Sequence, residues 1–221
     1  MVEILALGDC NTLGIGNLRF NSYPERFAKK INKSVKNCGY TMSTTREMIH
    51  FFNDFKSDNT EIILIQYGLV DSWKTFKYAP YVLYYPDNFI RKILRKIVKK
   101  YKKICKAIGL NSLLGVESVV PINEFKNNLE FIINNSQNCL IFLIDTIPNK
   151  DIFRNSEIKK YNLAMQEISD KHENVFKVNI YNFFENKKDF YLDGTHLSQN
   201  GIELISNKLF EEYNTAIGKN T

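Results

Sequence analysis

Three runs of consecutive apolar residues set the limits on this fold: ILAL at 4–7, IILI within 61–68 and LIFLI within 139–145. None of them alternates with polar residues. A strand with one wet face would alternate, whereas a strand covered on both faces has no need to. A fourth strand is expected over VFKVNIY, residues 175–181, and a short one around Ser34–Asn37. Between these runs apolar residues recur three and four apart, the period of a helix packed on a sheet. Helices are expected over Tyr23–Asn32, from a Ser43 or Thr44 cap through Met48, Ile49 and Phe52, and over Phe125–Ser136, Asn155–Lys171 and Gln199–Tyr213. Strands that alternate with helices at this spacing predict an α/β fold with a parallel sheet covered on both faces. No repeat, linker or low-complexity tract divides the 221 residues, so 1–221 is expected to form one domain with an insertion around 74–120.

The insertion is the least typical part. Phe76, Tyr78, Tyr81, Tyr84 and Tyr85 crowd a stretch broken by Pro80 and Pro86, and could line a sugar or acyl site or roof the sheet. Residues 87–109 then form a long amphipathic helix, with Ile90, Ile93, Leu94, Ile97, Val98, Tyr101, Ile104, Cys105 and Ile108 on one stripe. Its other face is nearly all Lys and Arg. Either the stripe packs into the core and leaves a solvated basic face, or the helix meets acidic glycan, anionic carrier lipid or membrane headgroups as a peripheral contact. The formal charge of +6 is a moderate excess that favours anionic substrates or surfaces. No motif supports nucleic-acid binding.

The composition, 44% hydrophobic and 24% charged, is that of an ordinary globular protein. The start MVEILALGDC lacks the basic region of a secretory signal, and no run approaches a membrane span. Cys10, Cys38, Cys105 and Cys139 have neither CxxC pairing nor metal-ligand spacing, and read as reduced thiols of a cytoplasmic protein. Cys105 and Cys139 sit in apolar patterns as core residues. His50 and His172 have no partner in sequence and read as surface or core groups.

Two stretches carry chemistry. In ILALGDCNTLG, residues 4–14, Gly8 permits a tight turn and places Cys10 where the first strand ends. A helix starting there would point free N–H groups at the thiol and favour its ionisation, so Cys10 reads as a nucleophile. In FYLDGTHLSQNG, residues 190–201, Asp193 and His196 stand three apart on a turn before a helix. The carboxylate can hold one imidazole nitrogen and leave the other as a general base. Together these residues satisfy the logic of a nucleophile, base and orienting acid.

With these stretches in view, the chain resembles the SGNH, or GDSL-type, hydrolases: esterases, thioesterases, carbohydrate deacetylases and related acyltransferases. ILALGDCNTLG looks like the block carrying Gly-Asp-Ser, VKNCGYTMSTT the second block, LIQYGLVDSW the third and DGTHLSQNG the last. The resemblance implies a three-layer α/β/α sandwich with a flavodoxin-like parallel sheet of about five strands, and no metal or organic cofactor. It also implies catalytic roles for Cys10, His196 and Asp193, with Cys10 standing in for the family's serine. The second block's oxyanion glycine aligns with Met42, with Gly39 three residues earlier. The third block's oxyanion asparagine aligns with Val70, between Gly68 and Asp71. Losing that amide costs a rate factor of roughly a hundred to a thousand unless Asn11, Gln66, Ser72 or Trp73 compensates. Asp71 itself reads more readily as a loop anchor than as an acid. The implied activity is hydrolysis of an acyl ester, on a small molecule or a glycan, through an acyl-thioester. The alternatives are an acyltransferase or thioesterase with the same residues, and a non-catalytic glycan-binding protein in which Cys10 merely replaces a lost serine.

Overall fold

The computed structural model describes residues 2–218. In chain order the elements that build the first half of the sheet are β1 (Ile4–Gly8), α1 (Cys10–Leu13), α2 (Tyr23–Lys30), β2 (Val35–Gly39), α3 (Thr45–Phe55) and β3 (Ile62–Gln66). The insertion supplies β4 (Lys74–Phe76), α4 (Phe89–Ala107), α5 (Leu110–Leu114) and β5 (Val116–Ser118). The second half adds α6 (Ile122–Asn134), β6 (Leu140–Ile144), α7 (Asn155–Ser169), β7 (Val175–Val178), α8 (Tyr181–Phe184) and α9 (Gln199–Gly218). Five strands form one parallel sheet in the order β2-β1-β3-β6-β7. This is the parallel α/β sheet that the apolar runs predict. The strand expected over 175–181 stops at Val178, and α8 takes its last residue.

Strand period two divides each run between two apolar layers. Leu5 and Leu7 of β1, Ile63 and Ile65 of β3, and Ile141 and Leu143 of β6 face α3, α6 and α7. Ile4, Ala6, Ile62, Leu64, Phe142 and Ile144 face α2 and α9 on the other side. All twelve are fully buried, which is why the runs carry no polar residue. Thr44 caps α3, with Glu47 closing the capping box. α7 buries Tyr161, Ala164, Met165 and Ile168 and leaves Leu163 exposed. Cys139 lies in the core and donates to the carbonyl of Thr60. All four cysteines are free.

β4 and β5 pair antiparallel, and the ladder is continued where Val119 N–H donates to the carbonyl of Trp73 at 2.8 Å. The insertion therefore leaves and re-enters the fold at one place. Tyr81 Oη and Tyr84 N donate to the fully buried Glu47 of α3, and Tyr85 stacks on Phe51 at 3.8 Å between ring centroids. The aromatic run thus fastens the insertion to α3. The reading of α4 as a core-packed helix fails. Only Cys105 of α4 is buried, while Ile90, Ile93, Leu94, Ile97, Tyr101 and Ile104 are all exposed. The side toward the body carries Arg91, Arg95, Val98, Lys102 and Cys105, so the helix meets its neighbours about a quarter-turn away from its apolar stripe. Among the described residues no helix is long and apolar enough to cross a membrane.

Candidate active site

Because the strands are parallel and in register, Gly8 pairs with both Gly39 and Gln66, and the chain leaves β1, β2 and β3 at one level. The three following turns meet there. Asp9 ends β1 and caps α1, its Oδ1 accepting from Asn11 N–H at 2.8 Å. Cys10 opens the helix, buried but belonging to none of the apolar clusters of the described residues.

The thiol is not poised to ionise. Burial pushes its pKa well above the ordinary thiol value, and the charge of Asp9 adds to this, while the N–H groups of Cys10 and Asn11 oppose it only in part. The helix is four residues long, and its N–H groups do not outweigh desolvation. This overturns the expectation of a readily ionised Cys10. Asp9 is itself raised to about 6 by burial, against its bond from Asn11 and the charge of His196.

The turn before α9 fixes the imidazole. Asp193 Oδ2 lies 2.6 Å from His196 Nδ1, and its Oδ1 accepts from the N–H groups of Thr195 and His196 at 2.7 and 2.9 Å. Burial would raise the carboxyl, but these three bonds outweigh it and hold Asp193 down to about 2. It is ionised at every working pH and orients the ring, leaving Nε2 unclaimed by the carboxylate.

Asn11 connects the two ends of the chain. Its Nδ2 donates to the carbonyl of Thr195 at 3.2 Å and its Oδ1 accepts from Leu197 N–H at 3.1 Å, across 186 residues of sequence. The residue next to Cys10 thus grips the residues on both sides of His196. Both ends of its amide are spent on this clamp, so Asn11 is not the spare oxyanion donor that the sequence offered. Among the described residues no hydrogen bond joins the Cys10 sulfur to the imidazole, a contact that in ligand-free sites commonly tightens only with substrate.

The other sequence candidates divide into scaffold and open positions. Gly39 donates its N–H to Asn37 Oδ1 at 2.8 Å, and a Cβ there would stand 2.3 Å from Leu13 N. It lets α1 lie against β2 and supplies no free donor. Gly68, at φ +130°, donates to Asp71 Oδ2 at 3.2 Å. Asp71 is fully buried and also accepts from Thr45 N and Oγ1 at 2.9 and 2.8 Å. Burial lifts it to about 7 against those bonds. Asp71 ties the turn after β3 to the start of α3; Gly68 and Asp71 therefore shape the site without facing it. Ser72 donates to the carbonyl of Leu69, and Gln66 Nε2 to that of Asp145. Neither is free to replace the missing amide. Trp73 Nε1 is buried and has no acceptor among the described residues.

Met42 is different. It sits at φ +65°, in the left-handed region that a side chain normally avoids, where the bond from Ser43 N to Tyr40 O closes its turn. Its own N–H has no acceptor among the described residues. Met42, Val70 and Trp73 line a cavity of about 820 Å³ together with Phe76, Tyr81 and Arg95; Cys10, Asp193 and His196 do not line it. Six of the helix's lysines also line it.

Sequence reasoning missed the Asn11 clamp, the Glu47 hub and a buried ion pair between Lys177 of β7 and Asp145. Asp145 Oδ2 also accepts the N–H groups of Ile180 and Tyr181 and so sets the path of the chain after β7. A charged residue in the middle of VFKVNIY was the one available signal for that pair. His172 bonds Glu130 at 2.9 Å and takes no part in the site.

A thiol at a strand end, an imidazole held by a carboxylate and an open backbone donor are groups of the kinds that acyl transfer uses. Comparison with known proteins agrees. The model of the family described as GDSL-like lipase/acylhydrolase matches residues 4–209. No curated protein sequence matches the chain. Among solved structures, the lipase/acylhydrolase from Enterococcus faecalis is 19% identical with a TM-score of 0.64, covering 96% of this chain and 95% of its own. A member of the lipolytic G-D-S-L family from Veillonella parvula is 16% identical, TM-score 0.62, over 97% and 99% of the two chains. A catalytic mutant of an acetylxylan esterase from Geobacillus stearothermophilus is 14% identical, TM-score 0.63, over 96% and 94%. These likenesses establish a shared fold.

Proposed function

The chain belongs to the GDSL-like lipase/acylhydrolase family and is an ester-hydrolysing enzyme of it, and from that premise we propose that Cys10, His196 and Asp193 form its catalytic triad. His196 Nε2 takes the proton of the Cys10 thiol as the sulfur attacks the ester carbonyl. The resulting oxyanion is met by the N–H groups of Cys10 and Met42. As it collapses, His196 returns the proton to the leaving alcohol and an acyl-thioester remains on Cys10. Water, deprotonated by His196, then attacks the thioester, releases the acid and restores the thiol. The observation that carries this reading is the Asn11 clamp, which holds the turn of His196 against the residue that follows Cys10.

The substrate class we assign is an acylated sugar of bacterial surface polysaccharide, carrying negative charge. In favour stand the aromatic and apolar wall of the cavity, its rim of Arg95 and lysines, and the shared fold with an acetylxylan esterase. Residues 1–221 act as one unit in this reading, with the insertion as the substrate-facing part.

The deciding test is an intact-mass spectrum after a brief exposure to an activated acetyl ester. A gain of one acetyl group on Cys10, absent in Cys10→Ala, is expected. Turnover of the ester with no adduct on Cys10 in a rapid-quench series would rule out the thioester route. If an added sugar acceptor captures the acyl group faster than water does, the same triad serves a transferase.

Asn11 acts as a positioning residue. Asn11→Ala should lower kcat about tenfold or more with KM little changed, because the imidazole loses its placement and not the substrate its contacts. It should also cost about 2 kcal/mol in stability, since Leu197 N–H and Thr195 C=O lose a buried partner. Unchanged kcat alongside the lost stability would make Asn11 purely structural.

A further inference from the structure

We propose that the exposed apolar stripe of α4 docks on an anionic lipid surface, lying in its plane. The stripe is made of side chains that a water-facing helix has no reason to carry. Ile90, Ile97, Ile104 and Ile108 are 68, 58, 52 and 71% exposed, and Ile93, Leu94 and Tyr101 fill the rows between them. Phe89, Leu113 and Val116 are exposed as well. A patch of this kind exceeds the scattered apolar exposure of an ordinary surface. At 19 residues, α4 is about 28 Å long.

Charge selects the occupant. α4 carries nine Lys and Arg and no acidic residue, more than the chain's whole excess of +6, so the remainder is net acidic by three. Arg95 and Lys92 pair with Asp87; among the described residues no acidic side chain pairs with the other seven. Lys96 and Lys100, which also line the cavity, follow Ile93 and Ile97 by three positions, which sets them where the basic side borders the stripe. A second copy laid face to face on this helix would bring together fourteen cations that pair with no acidic side chain among the described residues. A leaflet rich in anionic lipid supplies both an apolar layer for the stripe and negative headgroups for its border. Among the described residues no helix is long and apolar enough to cross a membrane. The basic side of α4, from Arg95 to Lys106, lines the 820 Å³ cavity that also includes Met42 and Val70. The docking itself requires no turnover and stands whether or not Cys10 is the nucleophile.

The test is co-sedimentation of the full chain with vesicles of phosphatidylcholine alone and of phosphatidylcholine mixed with phosphatidylglycerol. Binding is expected only, or at least tenfold more tightly, to the mixed vesicles, and should weaken as salt rises. Lys96→Ala with Lys100→Ala should weaken it about thirtyfold. Ile93→Glu with Ile97→Glu should abolish it while leaving the circular dichroism spectrum and hydrolysis of a water-soluble ester unchanged. Equal binding to both vesicles overturns the proposal. So does binding that the two glutamates leave intact, which would mark a polyanion such as an acidic glycan as the partner. No vesicle binding overturns it as well, and a concentration-dependent dimer by sedimentation equilibrium would then identify a second copy as what covers the stripe.

Discussion

Cys10→Ala should abolish ester hydrolysis, whereas Cys10→Ser should keep kcat/KM within about tenfold of the native chain. The asymmetry follows from the electrostatics around the sulfur. Where a cysteine enzyme rests as a thiolate beside an imidazolium, serine is a poor substitute, because a hydroxyl cannot be ionised in the resting state. Here burial and the neighbouring Asp9 both disfavour the thiolate. In the proposed mechanism the proton leaves during the attack, taken by His196, and that demand is the same for sulfur and oxygen. Removing a nucleophile from a comparable triad costs roughly a millionfold in kcat, so Cys10→Ala and His196→Ala should each fall at least a thousandfold while their unfolding transitions persist. Steady-state kinetics on an acetyl ester decide the matter. Iodoacetamide gives an independent reading: at neutral pH it should label Cys10 more slowly than a free thiol. Rapid labelling at pH 7, together with an inert Cys10→Ser, would mean that the sulfur rests ionised and that this mechanism is wrong.

Val70→Asn should raise kcat by about a hundred- to a thousandfold. Val70 stands where relatives of this fold are expected to carry an amide aimed at the oxyanion, on a turn that Gly68 and Asp71 hold rigid. It is 4% exposed and lines the same cavity as Met42. Asparagine is close to valine in size, so the exchange adds a donor with little new volume. The amide would lack a partner in the resting enzyme, and stability should drop by about 1–3 kcal/mol. Faster turnover with a lower melting temperature is therefore the signature. An unchanged kcat would show that the oxyanion is already served, and Trp73 Nε1, a buried donor without an acceptor in the same cavity, is the group to examine next.

The sheet was legible because burial on both faces writes itself into a sequence as unbroken apolar runs, and ILAL, IILI and LIFLI all became central strands. The Asp193–His196 pair was legible because three residues of turn suffice to bring the groups together. What escaped depends on contacts that no local spacing records. Asn11 meets Thr195 and Leu197 only because strand register brings opposite ends of the chain to one level. The thiol's protonation was misjudged because a helix N-terminus is visible in sequence and its desolvation is not. The amphipathic period of α4 was read correctly, yet periodicity names a stripe without saying which surroundings it faces, and here the stripe turns outward.

Trp73 and Val119 are joined by one backbone hydrogen bond, and the β4–β5 ribbon rises from that point. Everything from Lys74 to Ser118 therefore leaves and returns through a single stalk whose two stems enter the scaffold side by side, with Tyr81, Tyr84 and Tyr85 as its second fastening on α3. A short turn bridging Trp73 to Val119 would span the same gap without altering strand order, register or the His196 turn. An appendage held in this way could be lengthened, trimmed or exchanged with the parallel sheet left in place.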